Sequence, residues 1–86
     1  VYPNPTRGGS TIRYGLPKKQ PVTIEVYNTL GQRVATLMQD RPMEPGFHTI
    51  QWRGTTGSGT PVASGVYFVR MRAGDFTASK KIVRVN

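Results

Sequence analysis

The residues able to perform acid–base, nucleophilic or metal chemistry are few in this chain of 86 residues. It has one histidine, four carboxylates and no cysteine; the acids are Glu25, Asp40, Glu44 and Asp75. They are spread through different segments, without the close pair that general acid–base catalysis requires. His48 and scattered acids cannot supply the three or four ligands of a zinc site. The sequence therefore predicts a domain that is not an enzyme and that uses no metal or other cofactor.

The second chemical feature is a formal net charge of +8, from twelve Lys and Arg against four Asp and Glu. A positive field concentrates polyanions, so nucleic acid, acidic polysaccharide and lipid head groups are candidate partners. The basic residues are dispersed, however, and no run of like charge is longer than a pair. Arg70 and Arg72 beside Phe68 resemble a nucleic-acid surface most, but no nucleic-acid-binding motif accompanies them, so we expect no nucleic acid partner.

The length of the chain limits it to one domain, 1–86. Its longest apolar run, 66–69, is far shorter than the roughly 20 residues that a membrane-spanning helix needs, so we expect no membrane span. The chain begins at Val1 rather than Met, without an export-signal pattern. We expect a piece of a longer exported protein that is monomeric as an isolated domain.

The elements that must position any site are β-strands, because the segments between glycines and prolines are rich in Val, Ile, Thr, Tyr and Phe. Alternation predicts strands over 10–16 and 22–27. Their predicted core residues are Ile12, Tyr14, Leu16, Val22, Ile24 and Val26. Thr23 and Glu25 are then expected to face solvent.

A turn is predicted over 28–31, since Asn at its first position and Gly at its fourth favour a type I turn. A returning strand follows over 33–38. Pro42 and Pro45 predict a crossing loop over 39–46.

Three more strands are predicted over 47–53, 65–73 and 76–85. The first follows the crossing loop and is separated from the second by a glycine-rich loop, and Gly74 and Asp75 form the two-residue turn of a hairpin between the last two. Alternation places His48, Ile50 and Trp52 on one side of the first strand, and Tyr67, Val69 and Met71 on one face of the second. No segment has helical spacing, so we predict an all-β fold, an immunoglobulin-like antiparallel β-sandwich of six to seven strands.

Several short motifs occur in an order that resembles one protein family. They are Tyr2-Pro3-Asn4-Pro5, Thr11-Ile12-Arg13-Tyr14-Gly15-Leu16-Pro17, Val26-Tyr27-Asn28-Thr29-Leu30-Gly31-Gln32-Arg33-Val34, Pro45-Gly46-Phe47-His48, Trp52, Val62-Ala63-Ser64-Gly65-Val66-Tyr67-Phe68 and Ser79-Lys80-Lys81-Ile82-Val83. Each motif alone is common in β-proteins. In this order they resemble the C-terminal sorting domain of the type IX secretion system (the Por secretion system of Bacteroidetes), related to the immunoglobulin-like domain of flagellar hook-capping proteins.

The resemblance implies a non-catalytic secretion signal that directs its parent protein across the outer membrane. The implied partners are the outer-membrane secretion machinery and a sortase-like peptidase that removes the domain, after which the cargo is released or joined to anionic lipopolysaccharide. The implied recognition residues are Gly65, Val66, Tyr67, Lys80, Lys81, Ile82 and Val83. One departure is the loop after Trp52, which is often acidic in the hook-capping branch and here carries Arg53, Thr55 and Thr56.

Some of these residues allow two interpretations. Trp52 either fills the core beside Ile50, which the alternation favours, or forms a sugar-stacking platform. Phe68 either covers a second apolar layer or belongs to an exposed patch. Lys80 and Lys81 point to opposite faces of the last strand and either protect an edge or take part in recognition.

The alternative function is a carbohydrate- or polyanion-binding accessory module, or a structural spacer, of an extracellular enzyme. Half of the net positive charge lies in 65–86, where five basic residues and one acid give a net charge of +4.

Overall fold

The computed structural model describes residues 10–84, which form six β-strands and no helix. The strands are β1 (Ser10–Leu16), β2 (Gln20–Asn28), β3 (Arg33–Met43), β4 (Gly46–Trp52), β5 (Gly65–Ala73) and β6 (Phe76–Arg84). The all-β prediction is confirmed. The motif at 2–5 and the predicted strand end at Val85 lie outside the described residues.

The strands form two antiparallel sheets, with β1 paired to β4 and the other four in the order β3-β2-β5-β6. The alternate residues that were predicted to point inward form the core between the two sheets. Its fully buried members include Ile12 and Tyr14 from the two-stranded sheet and Ile24, Val69 and Ile82 from the other. One contiguous apolar cluster therefore joins both sheets into a sandwich.

The predicted crossing loop over 39–46 is wrong in extent, because β3 continues to Met43. Strand β3 lies at a sheet edge, where Pro42 is tolerated. The strand also contains a bulge, in which Asp40 adopts a positive φ of 47° and its backbone N–H donates to Thr23 Oγ1 at 3.0 Å. The crossing from β3 to the other sheet is therefore made by Glu44 and Pro45 alone.

Thr23 and Glu25 were expected to face solvent, and this expectation is wrong. Both alternate with the core residues of β2, yet they are only 5% and 7% exposed. Strand β2 is an interior strand of its sheet, so neighbours on β3 and β5 flank its outer face on both sides. Alternation gives the face of a residue, but it does not show what covers that face.

Two turns follow the sequence closely. Asn28 Oδ1 accepts hydrogen bonds from the backbone N–H of Leu30 and of Gln32, both at 3.0 Å, and Gly31 takes a φ of 80°. Gly74, with a φ of 60°, belongs to the two-residue connection between β5 and β6. The second turn creates the hairpin on which the candidate site lies.

Candidate functional site

The β5–β6 hairpin brings together the two groups of residues that the family resemblance implies for recognition. The antiparallel register places Val66 opposite Val83 and Tyr67 opposite Ile82. Segments separated by more than a dozen residues in the sequence thus become directly paired neighbours. Because adjacent residues of a strand point to opposite faces, the hairpin also divides these residues between its two faces.

The inner face of the hairpin is part of the core. Tyr67 and Ile82 are 8% and 1% exposed. The Tyr67 ring meets Trp52 edge to face at a centroid distance of 5.2 Å, and its hydroxyl donates to the Ala63 carbonyl at 2.8 Å. In the folded domain these side chains are inaccessible to a partner, so their contribution to any recognition is indirect.

The outer face of the hairpin carries an apolar group that remains in contact with solvent. Phe68 and Val83 are 38% and 41% exposed, and Val66, on the same face, is half-buried. Lys81 pairs with Phe68 in the register and is exposed. We call Val66, Phe68, Lys81 and Val83 the outer-face patch. For Phe68 the structure favours the exposed-patch interpretation.

Beside this patch, a buried carboxylate orders the outer face of the sheet. Glu25 Oε1 accepts hydrogen bonds from Arg70 Nη2 at 3.1 Å and from the Tyr27 hydroxyl at 2.9 Å. Arg33 Nη1 donates to Oε2 at 3.2 Å, and Arg70 Nη2 also donates to the Tyr27 oxygen at 2.6 Å. The Arg70 guanidinium lies 4.7 Å from the centroid of the Tyr27 ring. Sequence reasoning missed this cluster, which depends on the pairing of Glu25 with Arg70 across strands.

The protonation of this cluster follows from its contacts. Burial raises the pKa of Glu25, but hydrogen bonds from Tyr27, Arg70 and Arg33 outweigh burial, so the pKa lies below its ordinary value of 4.5. Burial, together with the negative charge of Glu25, raises the pKa of Tyr27. The carboxylate is therefore ionised at neutral pH and holds Arg70 in place.

The two lysines lie on an outer strand of their sheet. Within residues 10–84, β6 pairs with β5 alone, and Lys80 and Lys81 are both exposed. Arg70 has an acidic partner, whereas neither lysine forms an ion pair with another described residue. The positive charge that a partner can meet on this hairpin is therefore concentrated on β6 and on Arg72, which is also exposed.

Two glycines with positive φ lie at the open end of the hairpin. Gly65 begins β5 with a φ of 152°, and Gly54, in the preceding loop, has a φ of 74°. A Cβ at position 54 would collide with the Arg84 guanidinium, which lies directly over this glycine. Gly54 therefore allows a close approach between the end of β6 and the loop.

The comparisons with known proteins agree with this geometry. A family model described as "Secretion system C-terminal sorting domain" matches residues 1–86. The chain belongs to this family. As a type IX sorting domain, it is a secretion signal that interacts with the secretion machinery and marks a protein for export across the outer membrane to the cell surface or the medium.

A solved structure similar to this sorting domain is that of dimeric latent PorU from Porphyromonas gingivalis. The match has a TM-score of 0.70 and 23% sequence identity, and covers 98% of this chain but only 9% of the PorU chain. At this identity the likeness supports the β-sandwich fold. No curated protein matches the sequence.

The His, Asp and Glu side chains of the sorting domain are dispersed over the described residues. No group of three His, Cys, Asp or Glu side chains within 10–84 could hold a metal ion. His48 packs near the Tyr14 ring at 5.4 Å, and its Nε2 lies 2.7 Å from the Glu44 carbonyl oxygen. In the same part of the chain, no helix has the length and apolarity to cross a membrane.

Trp52 belongs to the core of the sorting domain, as the alternation favoured. It is 1% exposed, and its indole N–H donates to the Thr55 carbonyl at 2.9 Å. A sugar-stacking platform on Trp52 therefore does not fit this structure.

Proposed function

We propose that the secretion machinery recognises the folded domain through the outer-face patch and the β6 edge of the β5–β6 hairpin. The observation that carries the proposal is the division of the implied recognition residues by face. Val66, Lys81 and Val83 are at the surface, while Tyr67 and Ile82 shape the hairpin from the core. The second group then affects recognition by maintaining the strand geometry that the first group presents.

The chemistry of this surface indicates the kind of contact. An apolar centre beside a lysine suits a partner with an apolar anchor and a carboxylate nearby. Lys80 extends the basic character along β6, where a partner strand can add to the sheet by main-chain hydrogen bonds. The Glu25 cluster stabilises the adjoining face before binding, so little order has to be gained there on association.

We further propose that residues 1–86 act as one sorting unit excised from a longer exported protein. After export, a sortase-like peptidase removes this unit, and the cargo is released or joined to anionic lipopolysaccharide. The family resemblance supports these steps, and the compact sandwich supports a unit that is recognised folded.

The test is a periplasmic reporter fused ahead of residues 1–86 in a host with a type IX system. We expect the wild-type fusion to reach the surface or medium, and Lys81→Glu to retain it in the periplasm. The matched control is Lys18→Glu, which makes the same charge change at an exposed lysine of the β1–β2 connection.

A second pair tests the apolar contact at constant charge. Val83→Ser is expected to reduce export, whereas Leu30→Ser, at a side chain that is 80% exposed in the β2–β3 turn, is expected to leave it unchanged. Thermal unfolding of the isolated domains checks that all variants are folded. Equal export of folded Lys81→Glu, Val83→Ser and wild-type fusions would contradict recognition through the outer-face patch.

A further inference from the structure

The outer face of the β1–β4 sheet is a second surface with distinctive chemistry. The register places Gly15 opposite Phe47, Arg13 opposite Thr49, and Thr11 opposite Gln51, with these residues alternating with the buried ones. The face therefore presents one aromatic ring, one guanidinium and a row of hydroxyl and amide groups. It belongs to the sheet that does not contain the β5–β6 hairpin.

Phe47 is unusually accessible for its type, at 76% exposure. Its ring lies against the backbone of Gly15, where an added Cβ would come within 3.0 Å of the ring. The Arg13 guanidinium is held 4.7 Å from the ring centroid. An arginine placed against a ring in this way keeps its N–H groups available for two hydrogen bonds to one carboxylate.

The charged residue that the register places on this face, Arg13, is a cation. A second cation, Arg53, is exposed immediately after the end of β4. None of the four acids of the chain lies in β1 or β4. The acid nearest in sequence, Glu44, forms an ion pair with Lys19 at 3.6 Å. Arg13 and Arg53 are thus two cations that no carboxylate of the chain neutralises among the described contacts.

We propose that this face binds a carboxylated polysaccharide. Separated cations match the repeated carboxylates of such a chain, and the hydroxyl and amide groups of Thr49 and Gln51 match its sugar hydroxyls. The exposed ring of Phe47 adds an apolar surface for the C–H groups of a sugar. On this sheet Phe47 is accessible to a sugar, whereas Trp52 is buried in the core.

The test is native affinity electrophoresis of residues 1–86 in gels that contain polygalacturonate, neutral dextran or dextran sulfate. We expect retardation in polygalacturonate, weakened about five-fold in apparent affinity by Arg13→Gln, the size typical of an exposed charged contact. The matched control is Arg41→Gln, which removes the same charge from an exposed position on β3. Its apparent affinity is expected to stay close to wild type.

A variant of Phe47 distinguishes binding at a specific site from the general attraction of a basic protein to a polyanion. Phe47→Leu keeps an apolar cover over Gly15 and is expected to weaken retardation in polygalacturonate while leaving the charge unchanged. The proposal is overturned if wild type is not retarded, if Arg13→Gln and Arg41→Gln weaken it equally, or if folded Phe47→Leu binds like wild type. Nonspecific attraction to polyanions would explain the binding, and the proposal would be overturned, if dextran sulfate retarded wild type as strongly as polygalacturonate does and retarded Phe47→Leu equally. Export of the reporter fusion does not enter this test, so the two proposals fail separately.

Discussion

The two faces of the β5–β6 hairpin have the same backbone and different environments. On the inner face, Tyr67 and Ile82 are buried against the other sheet, whereas on the outer face Phe68 and Val83 remain more than a third exposed. The family resemblance marks residues of both faces without distinguishing them. The difference teaches that the residues marked by the resemblance divide into ones that a partner can contact and ones that support the hairpin from the core.

The largest effect is expected from truncation on the inner face. Ile82→Ala removes a fully buried side chain and should lower the free energy of unfolding by about 2–5 kcal/mol. Urea unfolding followed by tryptophan fluorescence measures this, since Trp52 lies in the same core. A loss well below 1 kcal/mol would mean that the inner face contributes less than its burial indicates.

Next in size is the loss of the Glu25 carboxylate, which lies on the outer face but is buried. Glu25→Gln should cost about 1–3 kcal/mol, because it removes charged hydrogen bonds to Arg70 and Arg33, both of which are themselves partly exposed. Glu44→Gln is the control, since the Glu44 ion pair with Lys19 is largely exposed and should contribute little. Equal losses for the two variants would contradict a structural role for the Glu25 cluster.

The effect of Glu25→Gln on the free energy of unfolding should depend on pH. The pKa of Glu25 is lower in the folded state than its ordinary value of 4.5, so the carboxylate's contribution is fully present above that value. It is lost as the pH falls from there through the folded pKa. The difference in free energy of unfolding between wild type and Glu25→Gln should therefore shrink over this acid range and stay constant near neutral pH.

A smaller loss is expected at Gly54, which supports the end of β6 from the preceding loop. Gly54→Ala places a side chain at a φ of 74° and displaces the flexible end of the Arg84 side chain, at a cost of about 1–2 kcal/mol. Gly57→Ala, in the same loop, meets no atom within 4 Å and has no positive φ of this kind, so it should be close to neutral. Thermal unfolding of the two variants gives the comparison.

Alternation predicted the inner face well, because burial on one side of a strand imposes a period of two on residues such as Ile12, Tyr67 and Val69. It could not predict the Glu25 cluster, since the contact with Arg70 depends on which strands become neighbours. The bulge at Asp40 was missed for a related reason: Pro42 favours a loop locally, but an edge strand tolerates it. The proposed recognition residues came from the family resemblance, and the structure shows which of them are accessible.

The smallest effect on stability is expected at the residue next to Ile82. Val83→Thr keeps a β-branched side chain at a position that is 41% exposed, so the free energy of unfolding should change by no more than about 0.5 kcal/mol. Because Val83 lies in the outer-face patch, the same variant should reduce export of a fused reporter. A loss of stability as large as that of Ile82→Ala would show that the outer face is packed as tightly as the inner one. The division of the hairpin into a supporting face and a contacting face would then fail, since a covered patch cannot meet the secretion machinery.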